Sequence, residues 1–304
     1  MRRTYVLGAL LLAGACSIVV TAAQAPPQAP GPVEIEKIKD NLYVMKGGGG
    51  NSSVLVTATG VVVVDTKNPG WGQPLLDGIR KVTDKPVTTI INTHTHGDHV
   101  SGNVEFPANV EVVSHVNTAE NMKVMRPNSS AAANAPNSTI FSANGNRNMP
   151  KRTFSDRLTL GSGADQIDLH YFGRAHTNGD AIVLFPALRV LHIADVMPGP
   201  ELPIMDANNG GTGVGYAETV DKILAFSEKN ADVIINGHRS MQSTNAELRS
   251  FAAFIRGYVA DVQAAKKAGR TVEEFAAGWK PPTGYTAQAP RLASNARLIF
   301  SETR

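Results

Sequence analysis

Cysteine is nearly absent from this 304-residue chain, which has one, Cys16. One cysteine cannot form an intramolecular disulfide, and thiolate-rich zinc sites need several. Charged residues are also sparse, at 18%, and the net charge of +3 is spread along the chain without a basic cluster. Because nucleic-acid-binding proteins concentrate Lys and Arg on one surface, we expect no nucleic-acid partner. The composition gives no sign of an obligate protein partner.

The chain has one long apolar run, Val6 to Val20, which follows Arg2 and Arg3. A basic start, an apolar stretch and small residues around a cleavage zone are typical of a secretory signal. We therefore predict a signal peptide at residues 1–25, a Pro-rich linker at 26–32, and a periplasmic or secreted protein. The mature form would then have no membrane span. A retained anchor is one alternative, and a lipid attached at Cys16, giving an outer-membrane lipoprotein, is another.

Short β-branched runs alternate with stretches of helical spacing after the linker. This alternation indicates a layered α/β fold rather than an all-β sandwich. The predicted strands are 54–57, 61–64, 87–91, 110–113, 158–160, 167–172, 181–185, 190–193 and 233–235, and the predicted helices are 75–82, 216–229, 246–268 and 272–277. Between residues 125 and 150 Asn, Ser, Ala and Pro dominate, which indicates a loop. It is either a lid over a site or plain surface, and we favour surface.

The motif with the strongest chemical signal is HTHGDH, which directly follows the predicted strand 87–91. Alternate residues of an extended chain point the same way, so His94 and His96 can face one metal ion. The glycine between them and Asp98 permits a sharp turn, after which Asp98 and His99 can aim at a neighbouring point. Imidazole and carboxylate groups in this density are suited to zinc.

Three further candidates follow predicted strands elsewhere in the chain. His176 lies after 167–172, Asp195 ends the run that begins at Val190, and His238 follows 233–235. A buried strand that ends in a lone imidazole or carboxylate is costly unless that group is paired or bound to a metal. We therefore expect these side chains to join the histidine-rich motif. His115, His170 and His192 match no ligand position and are expected to be structural, with His170 and His192 facing solvent.

The order of these motifs resembles the metallo-β-lactamase superfamily: H-x-H-x-D-H, then G-x-x-H-T-x-G-D, then a strand ending in Asp, then Gly-His. The resemblance covers about residues 33–265. It implies an αββα four-layer sandwich of the metallo-β-lactamase type, with metal ions at one edge between two β-sheets. We accordingly predict a catalytic domain at 33–265 and a C-terminal helical extension, 266–304, packed on it.

The resemblance also implies two zinc ions per chain, although iron and manganese remain open. Carried over position by position, His94, His96 and His176 would hold one ion. Asp98, His99 and His238 would hold the other, with Asp195 bridging both. Asp98 and Asp195 would be catalytic, because they would orient the attacking hydroxide and pass on its proton.

Two segments before the motif have two interpretations each. Asp65 ends the VVVV run and would either fix an imidazole of the metal loop from behind or cap a turn. Gly47 to Gly50 would either let the backbone line the substrate cleft or act as a flexible linker.

The implied function is hydrolysis of a small-molecule ester, lactone, thioester, amide or phosphodiester by a hydroxide held between two metal ions. β-Lactam hydrolysis is the alternative; against it, no Lys follows Asp195 within Val196 to Pro200. A metal-binding module without turnover is the second alternative. A flavo-diiron redox protein would need a carboxylate-richer ligand set and a flavodoxin-like domain, and the sequence has neither.

Overall fold

The fold is seen in a computed structural model that describes residues 29–239 and 242–304, so the predicted signal peptide lies outside the described residues. Two β-sheets contain all of the strands in the described part. The first has seven strands, in spatial order β1 (Glu34–Lys39), β2 (Leu42–Lys46), β3 (Ser52–Val56), β4 (Val61–Val64), β5 (Val87–Asn92), β6 (Glu111–His115) and β7 (Arg152–Phe154). The second has five, adjacent in the order β8 (Arg157–Leu160), β9 (Ile167–His170), β10 (Ile182–Phe185), β11 (Val190–Ala194) and β12 (Val233–Asn236).

Strand direction brings several strand ends to the same edge of the molecule. The predicted hairpin forms between β3 and β4, and Val54 lies opposite Val63. Strands β4, β5 and β6 then pair in parallel, and so do β11 and β12. Because parallel strands end on the same side of a sheet, the residues that follow β4 and β5 are neighbours in space, as are those that follow β11 and β12.

Helices cover the outer faces of both sheets. They are α1 (Gly72–Arg80), α2 (Gly97–Val100), α3 (Val116–Met122), α4 (Tyr216–Asn230), α5 (Asn245–Lys267), α6 (Val272–Gly278) and α7 (Ala289–Glu302). One apolar cluster joins α1 to the outer face of the first sheet, another fills the space between the sheets, and a third joins the second sheet to α4, α5 and α7. This layering confirms the predicted αββα sandwich. None of the helices among the described residues is both long and apolar enough to cross a bilayer.

The sequence does not predict six of these strands and helices: β1, β2, β7, α2, α3 and α7. Strand β1 has the sequence EIEKIK and no fully buried residue, so its apolar content is too low to indicate a strand by itself. It forms because β2 supplies a hydrogen-bonded partner along its length. Helix α7 begins with Ala-Pro-Arg and buries only Leu292, Asn295, Ala296 and Ile299, a stripe that pairs with α5 and α6. The boundary predicted at 265/266 falls in the last turn of α5.

The surface interpretation of residues 125–150 is wrong for part of the loop. Met125 and Phe141 are buried with Val100 and Val104 in a small apolar cluster of their own. These two apolar side chains anchor the loop against the segment that follows HTHGDH, which places residues 126–130 beside the candidate site described next.

Candidate active site

The HTHGDH motif occupies the turn between β5 and α2. His94 and His96 are buried, and His96 has an extended backbone immediately before the first helical residue, Gly97. The backbone N–H of His99 donates to the carbonyl of His96 at 3.0 Å, which closes the turn. The histidine pair therefore leaves an extended segment, while Asp98 and His99 leave the short helix, as the spacing predicts.

The downstream candidates arrive at the same place from three other strand ends. One ligand atom from each of His94, His96, His176 and Asp195 lies within 4.8 Å of the others, and the same holds within a second group, Asp98, His99 and His238. The structure thus brings together all seven predicted ligand residues. These two groups correspond to the two sets that the resemblance implies, and a third, formed by Asp65, His94 and His99, overlaps both.

Asp195 lies between the two groups. Its Oδ1 is 3.2 Å from Nε2 of His99, and its Oδ2 is 3.1 Å from Nε2 of His238 and 3.7 Å from Nε2 of His176. One carboxylate therefore faces imidazoles of both groups, as expected of a bridging ligand. Ala194, just before it, has φ of +43°, a strained left-handed conformation for a residue with a side chain.

Three polar atoms of the cluster are buried and make no hydrogen bond: Nε2 of His94, Nε2 of His99 and Oδ1 of Asp195, of which the last two lie 3.2 Å apart. A buried polar atom without a partner costs free energy, so such atoms are rare in folded proteins. A divalent cation coordinated by these lone pairs would remove that cost, and imidazole nitrogens with carboxylate oxygens are suitable donors. The residues present therefore fit a divalent metal centre.

Asp65 supports His99 from the side opposite the cluster. Its Oδ2 is 2.7 Å from Nδ1 of His99, and it also accepts from the hydroxyl of Thr93 at 2.6 Å, while Oδ1 accepts from the Thr93 backbone N–H at 2.8 Å. The Asp65 backbone has φ of +61°. A carboxylate on one nitrogen of His99 orients the ring so that the other nitrogen faces the cluster. This geometry favours the supporting interpretation of Asp65 over a simple turn cap.

His176 is held by the segment after β11 and by its own loop. Its Nδ1 lies 2.7 Å from the carbonyl of Ile204, which leaves Nε2 facing Nδ1 of His96 at 2.9 Å. Asp180, from the same G-x-x-H-T-x-G-D motif, accepts from the backbone N–H of Thr177 at 2.9 Å and from its hydroxyl at 2.5 Å. The acid of the motif therefore fixes the turn on which His176 stands.

Asp206 is a supporting residue that the sequence analysis missed. It is fully buried, and its Oδ2 is 2.7 Å from Nε2 of His96. Its Oδ1 accepts from the backbone N–H groups of Ser129 and Asn208, and Oδ2 accepts from the Asn209 side chain at 2.7 Å. The sequence signal was the turn Asp-Ala-Asn-Asn-Gly, which looks like an ordinary polar loop. Asp206 therefore orients the ring of His96 in the way that Asp65 orients the ring of His99.

Burial and neighbouring charge set the protonation of the cluster. Burial, with repulsion from nearby imidazoles, holds the pKa of His94 well below its usual value and lowers that of His176 to about 4. Burial alone would raise the pKa of Asp195, but the positive charge of His238 and His99 outweighs it and holds that pKa well below the usual range. Against the effect of burial, neighbouring carboxylates raise the pKa of His96 and His99, and the charge of Asp195 raises that of His238. Metal ions bind neutral imidazoles and ionised carboxylates, so His94, His176 and Asp195 are already in the binding form, whereas His96, His99 and His238 would release protons when metal binds.

The glycine run packs behind the metal loop. A Cβ on Gly50 would lie 2.1 Å from Cε1 of His99, and one on Gly49 would lie 2.5 Å from the Asp98 carbonyl. Neither residue lines the cavity described below, and the backbone of Gly50 donates to the Asp98 carbonyl at 3.1 Å. The run is therefore required for close approach, but it approaches the ligand loop rather than the substrate.

Lys67, also missed, lies behind the same loop. Its side chain is completely buried, and Nζ donates to the carbonyls of Met45 and Gly50 at 2.5 and 2.6 Å. Burial lowers the pKa of Lys67 to about 7, against the opposing effect of Asp65 and Asp98. Its ammonium group ties the glycine run to β2.

The expectation that His192 faces solvent is wrong. It is fully buried between the sheets, where Nδ1 lies 2.7 Å from the hydroxyl of Ser53. Strand β11 belongs to the second sheet and is covered on both faces, so alternation along it does not separate core from solvent. His170 is half-buried beside Phe226, and His115 stacks on Tyr171 with its Nε2 at 3.0 Å from the Ser155 carbonyl.

The cluster opens into a cavity of about 430 Å³. Its floor is formed by ligand residues, of which Asp98 and His238 have side chains about one third exposed. Its walls come from the 125–150 loop, the segment after β11, and α7. The residues that line it are His96, Asp98, His176, Asp195, His238, Asn128, Pro198, Glu201, Ile204 and Arg291. A volume of this size suits a small organic molecule.

Comparison with known proteins gives a family and a fold. The family described as the metallo-beta-lactamase superfamily matches residues 45–238. Metallo-beta-lactamase type 2 of Elizabethkingia meningoseptica is 29% identical over 171 residues, which are 52% of this chain and 60% of that protein. The 2,4-dinitroanisole O-demethylase subunit alpha of Nocardioides sp. (strain JS1661) is 29% identical over 175 residues, 56% of this chain and 48% of that protein. The chain thus spans less than two thirds of either curated relative.

Among solved structures, the stereoselective inverting sec-alkylsulfatase Pisa1 from Pseudomonas sp. superposes with a TM-score of 0.67. The match covers 89% of this chain and 50% of that one, at 16% sequence identity. At this identity the likeness concerns the fold. The matched part extends well beyond residues 45–238, so it includes much of the chain outside the family match.

Proposed function

Since this chain belongs to the metallo-beta-lactamase superfamily, we propose that it is a metal-dependent hydrolase with two zinc ions per chain. His94, His96 and His176 would hold one ion, and Asp98, His99 and His238 the other, with Asp195 between them. The observation that carries the proposal is the convergence of these seven side chains, with three buried atoms that have no other partner.

The bound ions would supply Lewis acidity, which lowers the pKa of a water toward about 7 and polarises the oxygen of an electrophile. The chain's own residues would do the rest. Asp195 fixes the spacing of the two ligand groups, because it contacts imidazoles of both. Asp98 has its Oδ2 3.4 Å from Nε2 of His238 and lines the cavity, so it can orient the attacking water and pass its proton to the leaving atom.

The cavity supports an enzyme over a metal-binding module without turnover. In a structural metal site the ligands enclose the ion, whereas a catalytic site keeps a position open. Here Asp98 and His238 are partly exposed to a cavity large enough for a small molecule. The proposed substrate is an ester, lactone, thioester, amide or phosphodiester.

β-Lactam hydrolysis is the second candidate. It is favoured by the 29% identity to a metallo-beta-lactamase of Elizabethkingia meningoseptica. The segment that follows Asp195 has no Lys to hold a drug carboxylate, which favours the other substrates.

The test is metal content and turnover measured on the same zinc-loaded preparations. A panel of nitrocefin, a lactone, 4-nitrophenyl acetate and bis-4-nitrophenyl phosphate separates the substrate classes. We expect His96→Ala and Asp98→Ala to abolish hydrolysis and keep the circular-dichroism spectrum, and Asp195→Ala to lose one of two zinc equivalents. Near-normal turnover in both His96→Ala and Asp98→Ala would refute the assigned site.

We also propose that the protein is exported by residues 1–25. The support is the basic start followed by one apolar run. Mass spectrometry of the protein purified from its native cells tests this, since cleavage near Ala23 to Ala25 removes a defined mass. An unprocessed N-terminus would contradict it.

A further inference from the structure

Arg291 is the one Lys or Arg side chain among the residues that line the cavity. It lies in the first turn of α7, and its side chain is 15% exposed. A cation in the first turn of a helix is opposed by the helix dipole, so this position does not stabilise α7.

The guanidinium group of Arg291 is fixed but only partly used. Nη1 donates to Oε2 of Glu201 at 2.8 Å and to the carbonyl of Leu202 at 2.7 Å. Within residues 29–239 and 242–304, Nε and Nη2 have no acceptor. The segment after β11, which carries Glu201, is itself held in place, because the Leu202 N–H donates to the Thr286 carbonyl at 2.8 Å. Three N–H groups of a rigidly held guanidinium thus remain for a ligand.

A second donor lies on the same wall. Asn128 lines the cavity, and its Oδ1 accepts from the Ser130 N–H. Its Nδ2 donates to none of the described residues. The next residue, Ser129, accepts from the hydroxyl of Ser294 at 2.9 Å. Ser294 is three residues after Arg291 and therefore shares its helix face. Asn128 and Arg291 together give a wall of hydrogen-bond donors beside the ligand cluster.

We propose that Arg291 binds a carboxylate of the substrate at a point away from the bond that is broken. A guanidinium matches a carboxylate in geometry and can bind it with two parallel hydrogen bonds. Glu201 pairs with Nη1 and prevents an unpaired charge in the wall, while Nε and Nη2 stay free for the substrate carboxylate. The inference rests on the proposed hydrolytic function and narrows its substrates to anionic esters, lactones or amides. β-Lactam drugs carry a carboxylate too, so Arg291 would offset the missing Lys after Asp195 for that second candidate.

Two esters with the same leaving group test this: mono-4-nitrophenyl glutarate, which carries a free carboxylate, and the neutral 4-nitrophenyl butyrate. We expect Arg291→Met to lower kcat/KM for the glutarate ester by roughly 10- to 100-fold, the size typical of a lost charge-assisted bond. The butyrate ester should change by less than about twofold, since it makes no such bond.

Two variants make the result specific. Arg297→Met is the matched control, because Arg297 is on the same helix and pairs with Glu273 but is 64% exposed and outside the cavity. It should leave both esters unaffected. Glu201→Gln removes the competing carboxylate and should lower KM for the glutarate ester only.

An equal loss on both esters, or no loss on either, would overturn the role of Arg291. If the wild type hydrolyses neither ester, the proposed ester chemistry fails, and binding decides the inference independently. Isothermal titration of glutarate into zinc-loaded protein should then show at least about tenfold weaker binding to Arg291→Met than to wild type. Equal affinity would refute the carboxylate site.

Discussion

Substituting Asp206 by Asn tests whether support behind the ligands governs metal binding. Four donors converge on the buried carboxylate: Nε2 of His96, the Ser129 and Asn208 backbone N–H groups, and the Asn209 side chain. An asparagine has one oxygen, and its amide group would face another donor. At least one of the four contacts must fail.

The size of the effect follows from which contact fails. Burial alone would raise the pKa of Asp206, but the hydrogen bond and charge of His96 outweigh burial and leave that pKa below its usual value. Asp206 is therefore ionised beside that imidazole. Removing the charge weakens the orientation of His96, and such supporting residues typically change metal affinity by about 10- to 100-fold. We expect a loss of this size for Asp206→Asn, at the ion held by His96.

The assay is competition for zinc against a chelator of known affinity, with unfolding of the metal-free protein measured beside it. The matched control is Asp261→Asn, because Asp261 is an exposed acid that accepts from Trp279 far from the cluster. A variant that lost affinity only through global damage would unfold much earlier without metal. Wild-type zinc affinity in Asp206→Asn would refute the argument.

Two further predictions concern the residues behind the metal loop. Gly50→Ala places a Cβ 2.1 Å from the His99 ring, so elemental analysis should find one zinc ion per chain instead of two. The control Gly257→Ala, whose Cβ meets nothing within 4 Å, should keep both ions. Two retained equivalents in Gly50→Ala would contradict this. Lys67 has a pKa of about 7 in the fold and 10.5 unfolded, so between these values the unfolded chain binds the extra proton and stability rises with pH. At about 1.4 kcal/mol per pH unit this contributes at most about 5 kcal/mol, and urea unfolding between about pH 7.5 and 9.5 should show a smaller rise for Lys67→Met than for wild type. Equal slopes would contradict it.

The sequence predicts best where chemistry and local structure coincide. Each ligand residue comes after a predicted strand, and the strand directions then bring those ends to one edge of the two sheets. The period of the strands and the identity of the residue after each one are both local properties. Convergence of the seven residues could therefore be expected from the chain itself, whereas their division into two ligand groups came from the resemblance to the metallo-β-lactamase superfamily.

The supporting residues escape prediction because their partners are remote. Asp206 is 110 positions from His96, and Lys67 contacts two carbonyls that precede it by 22 and 17 positions. No spacing rule links such pairs, and an Asp before Ala-Asn-Asn-Gly favours a turn in any fold. The burial of His192 could not be predicted for the same reason, since it depends on β11 being covered on both faces of its sheet.

Arg291 sets one part of the cavity wall apart from the ligand cluster along the chain, because the other residues that line the cavity all lie within the family match. The ligand residues all lie within the family match, whereas Arg291 lies beyond residue 238, on a helix that the sequence did not predict. Asp206 connects the two parts, because it contacts His96 on one side and Ser129 on the other, and Ser129 in turn contacts Ser294 of α7. Arg291 itself donates to Glu201 and Leu202 and to none of the seven predicted ligands, so substituting it can alter substrate preference while the metal ligands keep their geometry. Arg291→Met and Asp206→Asn should accordingly have different effects. Arg291→Met should change the discrimination between the two esters and leave zinc affinity intact, whereas Asp206→Asn should lower zinc affinity. If both variants lost zinc affinity equally, the wall and the ligand cluster would form one unit and this division would be wrong.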